Sequence, residues 1–381
     1  MIKINFIVFL VLLFSACIPV NSNAQKLPAP SATLEAMSKT NTYFMREWPD
    51  AGKRIVTNMS RASNIWTRAV YYEGLMAFYT INKKPEFIDY ANQWANFHHW
   101  DLRDGDTFTR NADNQCAGQT YIDLYLLDPQ PSKIEKVTAS IDSMMHTPKI
   151  DDWSWIDAIQ MGMPVFAKLG LFKNNPRYWE RMNEMYMYTR DKHFGGLYNT
   201  EDNLWWRDKD FRPPYKEPNG KDCYWSRGNG WVFAALVRVM DIIPKDAPHR
   251  DQYEEDFMAM ASALIKVQRQ DGFWNASLHD PKNYGGKETT GTSMFVYGMA
   301  WGINNGYLEK KKYYPVISKA WKALLKESVH PDGFLGYVQG TGKMPSDGQP
   351  VTHNSKPDFQ DYGLGCFLLA GSEVYKLSVA K

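Results

Sequence analysis

Four stretches of this chain, Trp155 to Gly170, Asn229 to Ile243, Gly291 to Asn304 and Tyr362 to Ala370, are apolar or small nearly all the way round. A helix with no polar face has to be enclosed by other protein. Between these stretches lie segments of the opposite kind, each with one apolar stripe. Phe87, Tyr90, Ala91 and Trp94 make one stripe, Ile134, Val137, Ile141 and Met144 a second, and Tyr253, Phe257, Ala261 and Leu264 a third. Such i, i+3/i+4, i+7 spacing marks a helix with one face in water. Helical periods predict twelve helices, over residues 32–48, 64–82, 86–98, 114–127, 132–147, 155–170, 174–190, 228–242, 249–269, 290–305, 311–327 and 360–377. Wet helices alternating with enclosed ones fit an all-α fold, an (α/α)6 barrel with an inner ring of six wrapped by an outer ring of six.

A weak repeat agrees with that arrangement. Arg103-Asp104-Gly105, Phe194 to Tyr198, Gln270 to Trp274 and Pro331 to Phe334 each combine a turn signal with a following inner helix, and several carry aromatics. Each predicts a short hairpin. The longest excursion, 195–224, is rich in Trp, Arg, Lys and Pro, and a loop of that length is usually functional. In a barrel the loops leading into the inner helices share one end. Polar motifs stand at those positions: Asp113 to Gln115, Asp151 to Asp157, Trp225 to Trp231, Glu288 to Thr290 and His353 to Asp361. Their convergence marks the expected site.

The chain opens with Lys3, an apolar run from Ile7 to Leu13 and the small-residue string Ser22-Asn23-Ala24. This reads as an export signal over residues 1–24, cleaved after Ala24, with lipid attachment at Cys17 the less favoured alternative because Phe14 stands where Leu is usual. The apolar run is too short to span a bilayer. Residues 25–381 are then expected to form a single catalytic domain, periplasmic or secreted, since no linker or composition shift divides them. Cys116, Cys223 and Cys366 lack metal-ligand spacing and are expected as buried free thiols. A formal net charge of +2 argues against nucleic acid and against a simple electrostatic trap for a polyanion. Fourteen Trp and 22 Tyr suit a carbohydrate-facing cleft, although large helical cores also take up aromatics.

Two groups of residues carry chemistry. In Trp225-Ser226-Arg227-Gly228-Asn229-Gly230-Trp231, two indoles flank a guanidinium, the combination that stacks on sugar faces and forks onto a carboxylate. A packing turn whose Arg pairs with a structural Asp is the plain alternative. Asp157 lies on an apolar helix whose start already has Asp151 and Asp152 as capping candidates. A carboxyl so placed is costly unless paired or protonated, and an apolar setting raises its pKa toward what a general acid needs. Asp113 reads first as an N-cap and second as the partner of Asp157 in an acid/base couple. No phosphate loop, His-Glu-x-x-His or nucleophile elbow is present, His98-His99 reads as surface, and no metal or other cofactor is expected.

Jointly these motifs resemble glycoside hydrolase family 105, unsaturated glycuronyl hydrolases related to family 88. The resemblance spans essentially the whole mature chain. It rests on Ala112 to Gln115, Trp155 to Pro164, Trp225 to Trp231, Gly291 to Phe295 and Ala300 to Asn304. It implies an (α/α)6 barrel and removal of a 4,5-unsaturated uronate from lyase-generated oligosaccharides, linked to rhamnose as from rhamnogalacturonan or ulvan. The C4=C5 bond would be hydrated, with Asp157 protonating C4 and activating the water and Asp113 as the second active-site Asp. Trp225, Arg227 and Trp231 would line the substrate. Some members place a His in the hairpin before the Trp-Arg cluster. Here that stretch carries Trp205, Trp206 and Arg207, so Trp205 and Trp206 are added as substrate-binding candidates. Arg212, Lys216 and Lys221 would serve an acidic partner sugar, or simply solvate the loop. A barrel-type polysaccharide lyase, a sugar epimerase and a non-catalytic glycan-binding protein are the alternatives.

Overall fold

The computed structural model describes residues 26–380 except residue 58; the expected export segment, residues 1–24, and Cys17 lie outside the described residues. Helices dominate: α1 (Pro30–Glu47), α2 (Trp66–Ile81), α3 (Pro85–Phe97), α4 (Ala112–Gln115), α5 (Ala117–Leu127), α6 (Glu135–Met145), α7 (Asp157–Phe172), α8 (Arg177–Asp191), α9 (Ser226–Ile242), α10 (Arg250–Lys266), α11 (Thr289–Asn304), α12 (Lys310–Ala323) and α13 (Asp361–Val379). The predicted helix 114–127 is divided at Cys116, which keeps αR backbone angles, so α4 and α5 together fill one place in the barrel. The predicted helix 311–327 leaves α-geometry after Ala323 and finishes as a π turn, Leu324–Ser328.

The fold is an (α/α)6 barrel. Helices α2, α5, α7, α9, α11 and α13 pack each on the next, and α13 returns to α2 to close the inner ring. Outside them, α3 lies on α2, α8 on α7, α10 on α9, α12 on α11 and α1 on α13. Helix α6 covers α5, where a Cβ on Gly118 would come within 2.3 Å of Val137. The two kinds of helix separate as their patterns require. Phe87, Tyr90, Ala91 and Trp94 of α3 are buried, as are Tyr253, Phe257, Ala261 and Leu264 of α10, whereas α7 is buried without interruption from Asp157 to Ala167. At the closure between α2 and α13 the backbones nearly touch. A Cβ on Gly74 would meet the Gly365 carbonyl at 2.3 Å, and one on Gly365 the Val70 carbonyl at 2.2 Å, so only glycine fits either place.

Because an outer helix brings the chain back after each inner one, the inner helices run parallel and their N-termini gather at one end. Two short antiparallel hairpins decorate the barrel, β1 (Ile55–Val56) with β2 (Ser60–Arg61) and β3 (Tyr198–Asn199) with β4 (Leu204–Trp205). Of the four expected hairpins, the one at 194–198 forms a two-stranded ribbon. Arg103–Gly105 is instead a 3-10 turn with Asp104 at φ 64°. The turns at Gly272 and Gly333 have φ of 99° and 100° and are closed by single bridges or hydrogen bonds.

The middle of the inner ring and its C-terminal end are polar. Glu73 accepts from Gln160 Nε2 at 2.8 Å, and Arg238 donates from Nε and Nη2 to Gln119 Oε1 at 3.0 and 2.8 Å, with Glu73 3.6 Å away. Lys168 donates to the Gln119 carbonyl at 3.0 Å and to Asp123. These groups face a cavity of about 320 Å³ at the end opposite the inner helices' N-termini.

Candidate active site

The N-terminal ends of the inner helices meet through aromatic and charged contacts. Trp66, the first residue of α2, lies edge-on to Trp231 of α9 at 6.1 Å and tilted against Tyr362 of α13 at 5.5 Å. Arg68 on α2 pairs with Asp361, which opens α13, at 3.1 Å, both buried. Into this ring project Asp113, in the first turn of α4, and Asp157, the first residue of α7.

Asp113 is not the cap of its helix. Asn111 is, its side chain accepting from the Asp113 backbone N–H at 2.8 Å. The Asp113 carboxyl is thereby left without a hydrogen-bond partner among the described residues. Burial pushes its pKa up to about 7, and the charge of neighbouring Asp157 adds to the rise, against the pull of Arg207 and Arg103. Asp157 is buried on its apolar helix, as its surroundings in the chain predict, but it is not alone there. Arg207 Nε donates to Asp157 Oδ2 at 2.9 Å. Of the two ways in which a carboxyl on an apolar helix can be accommodated, pairing and protonation, the structure shows pairing: a guanidinium meets the cost of burying the carboxylate. The carboxyl driven toward its neutral form is Asp113.

Arg207 reaches Asp157 because the chain just after β4 is bonded to the residue that precedes α7. The Ile156 N–H donates to the Arg207 carbonyl at 3.0 Å, and Arg207 Nη1 donates to Asp208 Oδ2 at 2.7 Å. Asp208 is held in turn by the Asp210 N–H at 2.8 Å. Backbone and side chain of one residue therefore fix both the helix start and its first carboxylate.

The Trp225–Trp231 cluster has a different place from the one expected. Arg227 is 1% exposed. Its Nη1 and Nη2 donate to the Gln339 and Gly340 carbonyls, each at 2.8 Å, and its guanidinium lies over Trp225 at 4.3 Å and Tyr362 at 5.1 Å. Trp225 is equally buried and donates from Nε1 to Gln339 Oε1 at 2.9 Å. Arg227 and Trp225 thus anchor the loop after the π turn, where Gly340, Thr341 and Asp358 line a cavity of about 410 Å³. Asn229 clamps the preceding hairpin, accepting from the Trp205 N–H at 2.8 Å and donating to the Trp205 carbonyl at 3.0 Å. Trp205 itself is fully buried against Tyr186 and Tyr198, which makes it a core residue and corrects its reading as a substrate platform. Trp206 and Trp231 are nearly closed off, and each indole N–H is buried without a partner.

Comparison with known proteins identifies the family. The model of Glycosyl Hydrolase Family 88 matches residues 36–378. The chain belongs to that family. A relative in Formosa agariphila, named unsaturated 3S-rhamnoglycuronyl hydrolase, is 34% identical over 82% of this chain and 84% of its own. A solved family-88 glycosyl hydrolase from Bacteroides vulgatus is 32% identical with a TM-score of 0.83, covering 92% of this chain and 100% of its own. A solved structure described as a polysaccharide lyase is 34% identical with a TM-score of 0.82, covering 91% and 97%.

In this glycosidase Arg212 and Lys216 of the long excursion are engaged by the excursion's own neighbours. Arg212 donates to the Phe194 and Gly195 carbonyls and lies over Trp206 at 5.4 Å, and Lys216 pairs with Asp222 at 2.6 Å. Cys116, Cys223 and Cys366 are buried free thiols, as their spacing predicts. Among the described residues no group of three or more His, Cys, Asp or Glu side chains is arranged to hold a metal ion, and no helix is long and apolar enough to cross a membrane. Two further indoles, Trp66 and Trp155, are only partly buried, Trp66 edge-on to Trp231 and Trp155 two positions before Asp157. Each stands at the start of a predicted inner helix, and that position was the available signal.

Proposed function

We propose that this family-88 glycosidase is an unsaturated glycuronyl hydrolase. It would release a 4,5-unsaturated uronate from the non-reducing end of lyase-generated oligosaccharides, with rhamnose, the sugar in the name of the Formosa agariphila relative, as the neighbouring residue. The observation that carries this reading is the pair of carboxyls at the inner helix N-termini. Burial and the neighbouring Asp157 push the Asp113 pKa up to about 7, so its carboxyl can exchange a proton near neutral pH, and Asp157 is paired with a cation. Addition of water across C4=C5 needs one proton donor and one base, and a couple sharing a single proton supplies both.

In the proposed sequence C4 takes its proton from the couple. Water adds at C5 and returns its own proton to the carboxylate left behind, so the couple ends as it began. The C5 hemiketal then opens by breaking the C5–O5 bond, leaving a ketone at C5. The hemiacetal this creates at C1 expels the neighbouring sugar. Asp157 faces the double bond and Asp113 carries the shared proton between turnovers. Trp66 and Trp155, with Trp231 behind, offer the apolar faces against which the sugar stacks. Export by way of residues 1–24, with cleavage after Ala24 in preference to lipid attachment at Cys17, belongs to the same proposal, because lyase products arise outside the cytoplasm.

Lyase-generated unsaturated disaccharides test the reading through their ultraviolet absorbance. Loss of absorbance on adding the protein is expected. A polysaccharide lyase is the second reading, favoured by the 34% identity to a structure so described. It would produce the reverse, a gain of absorbance on intact polymer. No change with either substrate would sink both.

A further inference from the structure

The substrate of the proposed reaction carries a carboxylate on C5, one bond from the alkene. The arginine of the Trp-Arg cluster is the obvious partner for it by residue type, but both terminal amino groups of Arg227 are engaged by carbonyls and its faces are covered by Trp225 and Tyr362. Turning it toward a ligand would strip the buried Gly340 carbonyl of its donor, leave the Gln339 carbonyl to the Tyr362 hydroxyl alone and open the 339–340 anchor. We infer that Arg207 receives the C5 carboxylate, and that one guanidinium thereby bridges the substrate and Asp157.

Arg207 has the free valence that Arg227 lacks. Its Nε donates to Asp157 and its Nη1 to Asp208, while Nη2 makes no hydrogen bond among the described residues. The side chain is 20% exposed, against 1% for the whole of Arg227. It also lies in the field of both carboxyls, since it acts on Asp113 as well as Asp157. The other cation acting on Asp113 is Arg103, which stands by Asp104 at the surface, 3.6 Å away, in a different turn. Arg207 cannot drift. Asp208 fixes one edge of the fork, Asp157 another, and the Arg207 carbonyl is tied to the first turn of α7.

The bridge has a chemical consequence. A planar guanidinium presents donors in a fixed fork, so a carboxylate on Nη2 is set at a fixed place relative to a carboxylate on Nε. The C5 carboxylate and Asp157 would then share one template, and the alkene attached to the first is brought to the second by a rigid spacer. This also accounts for a guanidinium in the hairpin position where the resemblance leads one to expect an imidazole. An imidazole has two ring nitrogens and could not hold Asp157, Asp208 and a substrate carboxylate together.

The inference rests on the hydrolase reading, and the test keeps the two apart. An unsaturated disaccharide and its C6 methyl ester, which removes the negative charge, are compared on wild-type protein and on Arg207→Gln, Arg207→Lys and Arg227→Lys, each checked for folding by circular dichroism and thermal melting. Wild type should prefer the acid, and Arg207→Gln should raise KM for the acid about 10–100-fold, the scale of a lost charged hydrogen bond, while leaving KM for the ester unchanged. Arg207→Lys should fall between, and Arg227→Lys should keep the wild-type preference. If Arg207→Gln instead lowers kcat alike on both sugars, moves the pH profile and preserves the preference, Arg207 only positions Asp157 and the inference fails. It also fails if Arg227→Lys is the variant that abolishes the preference. A wild type that hydrates neither sugar would end the hydrolase reading alone. Calorimetric binding of the two sugars then decides the carboxylate contact, and an acid binding no more tightly than its ester overturns it.

Discussion

Both ends of the inner ring carry buried carboxylates among cations, yet they are built to opposite effect. Toward the C-terminal end, Glu73 is met by Gln160 and Arg238, Asp123 by Lys168, Asp241 by the Trp301 indole at 3.0 Å and Glu373 by Lys376 and Asn304 at 2.6 and 2.8 Å. Helix C-termini favour cations, and Lys168 and Arg238 lie in the C-terminal parts of α7 and α9. At the N-terminal end, among the described residues, the Asp113 carboxyl has no hydrogen-bond partner, Asp157 has one oxygen bonded, and Arg207 has one amino group unengaged. Burial raises a carboxyl pKa at both ends, for Glu73 as for Asp113. The difference lies in who answers. A network whose charges are paired stiffens a core, while carboxyls left open keep hydrogen-bonding capacity for a ligand.

Asp157→Asn should give the largest effect. It keeps the volume and loses the proton-transfer group, so turnover per folded molecule should fall about 10²–10⁴-fold, with Asp208 left as the carboxylate partner of Arg207; a variant with near-normal kcat would erase the contrast between the ends. Arg238→Met should do the reverse. Removing one partner of a buried ion pair costs about 3–5 kcal/mol, read by denaturant unfolding, while kcat per folded molecule stays at the wild-type value. If its kcat collapses while stability holds, the C-terminal end is not the passive one.

Asp113 allows a pH test. Its folded pKa of about 7 stands above the usual carboxylate range, so its contribution to stability is complete below about pH 4 and is lost as pH rises through 7. Asp113→Asn should therefore flatten the decline of Tm between pH 4 and 7. On wild type, kcat/KM should fall as the couple loses its shared proton near pH 7, and that limb should move in the variant. The smallest effect is expected from Lys216→Ala, which removes an exposed pair with Asp222; the change should lie within about 1 kcal/mol, with activity retained. A large loss of activity there would restore the excursion's lysines as substrate contacts.

The barrel was legible because its helices differ in kind. A stripe such as Tyr253, Phe257, Ala261 and Leu264, set beside the unbroken apolar run of α11, states which ring each belongs to before any coordinate is known. Asp157 was legible for a related reason, as a charge where the pattern allows none. What the chain could not disclose was partnership. Arg207 and Asp157 are fifty positions apart, and the meeting depends on the backbone bond between Ile156 and Arg207 that joins the end of the hairpin to the start of α7. Arg227 misled in the same way, since a guanidinium between indoles suits a ligand as well as it suits the carbonyls of residues 339 and 340. Asp113 looked like a cap because its residue type is right for one, and Asn111 two places earlier took that role.

The seam between α2 and α13 bears on how such a molecule comes into being. Arg68 and Asp361 are 293 positions apart, and the glycine contact of Gly74 with Gly365 spans almost as much chain. In synthesis the helix carrying Asp361 emerges after the other five inner helices, so until then the nascent ring is an open crescent with two raw apolar margins. Contacts that distant close slowly, because a long loop's entropy has to be surrendered before they return anything. Translation thus delivers every catalytic side chain named above well before the final helix can shut the circle, and the protein has to remain soluble as an arc before it can work as a barrel.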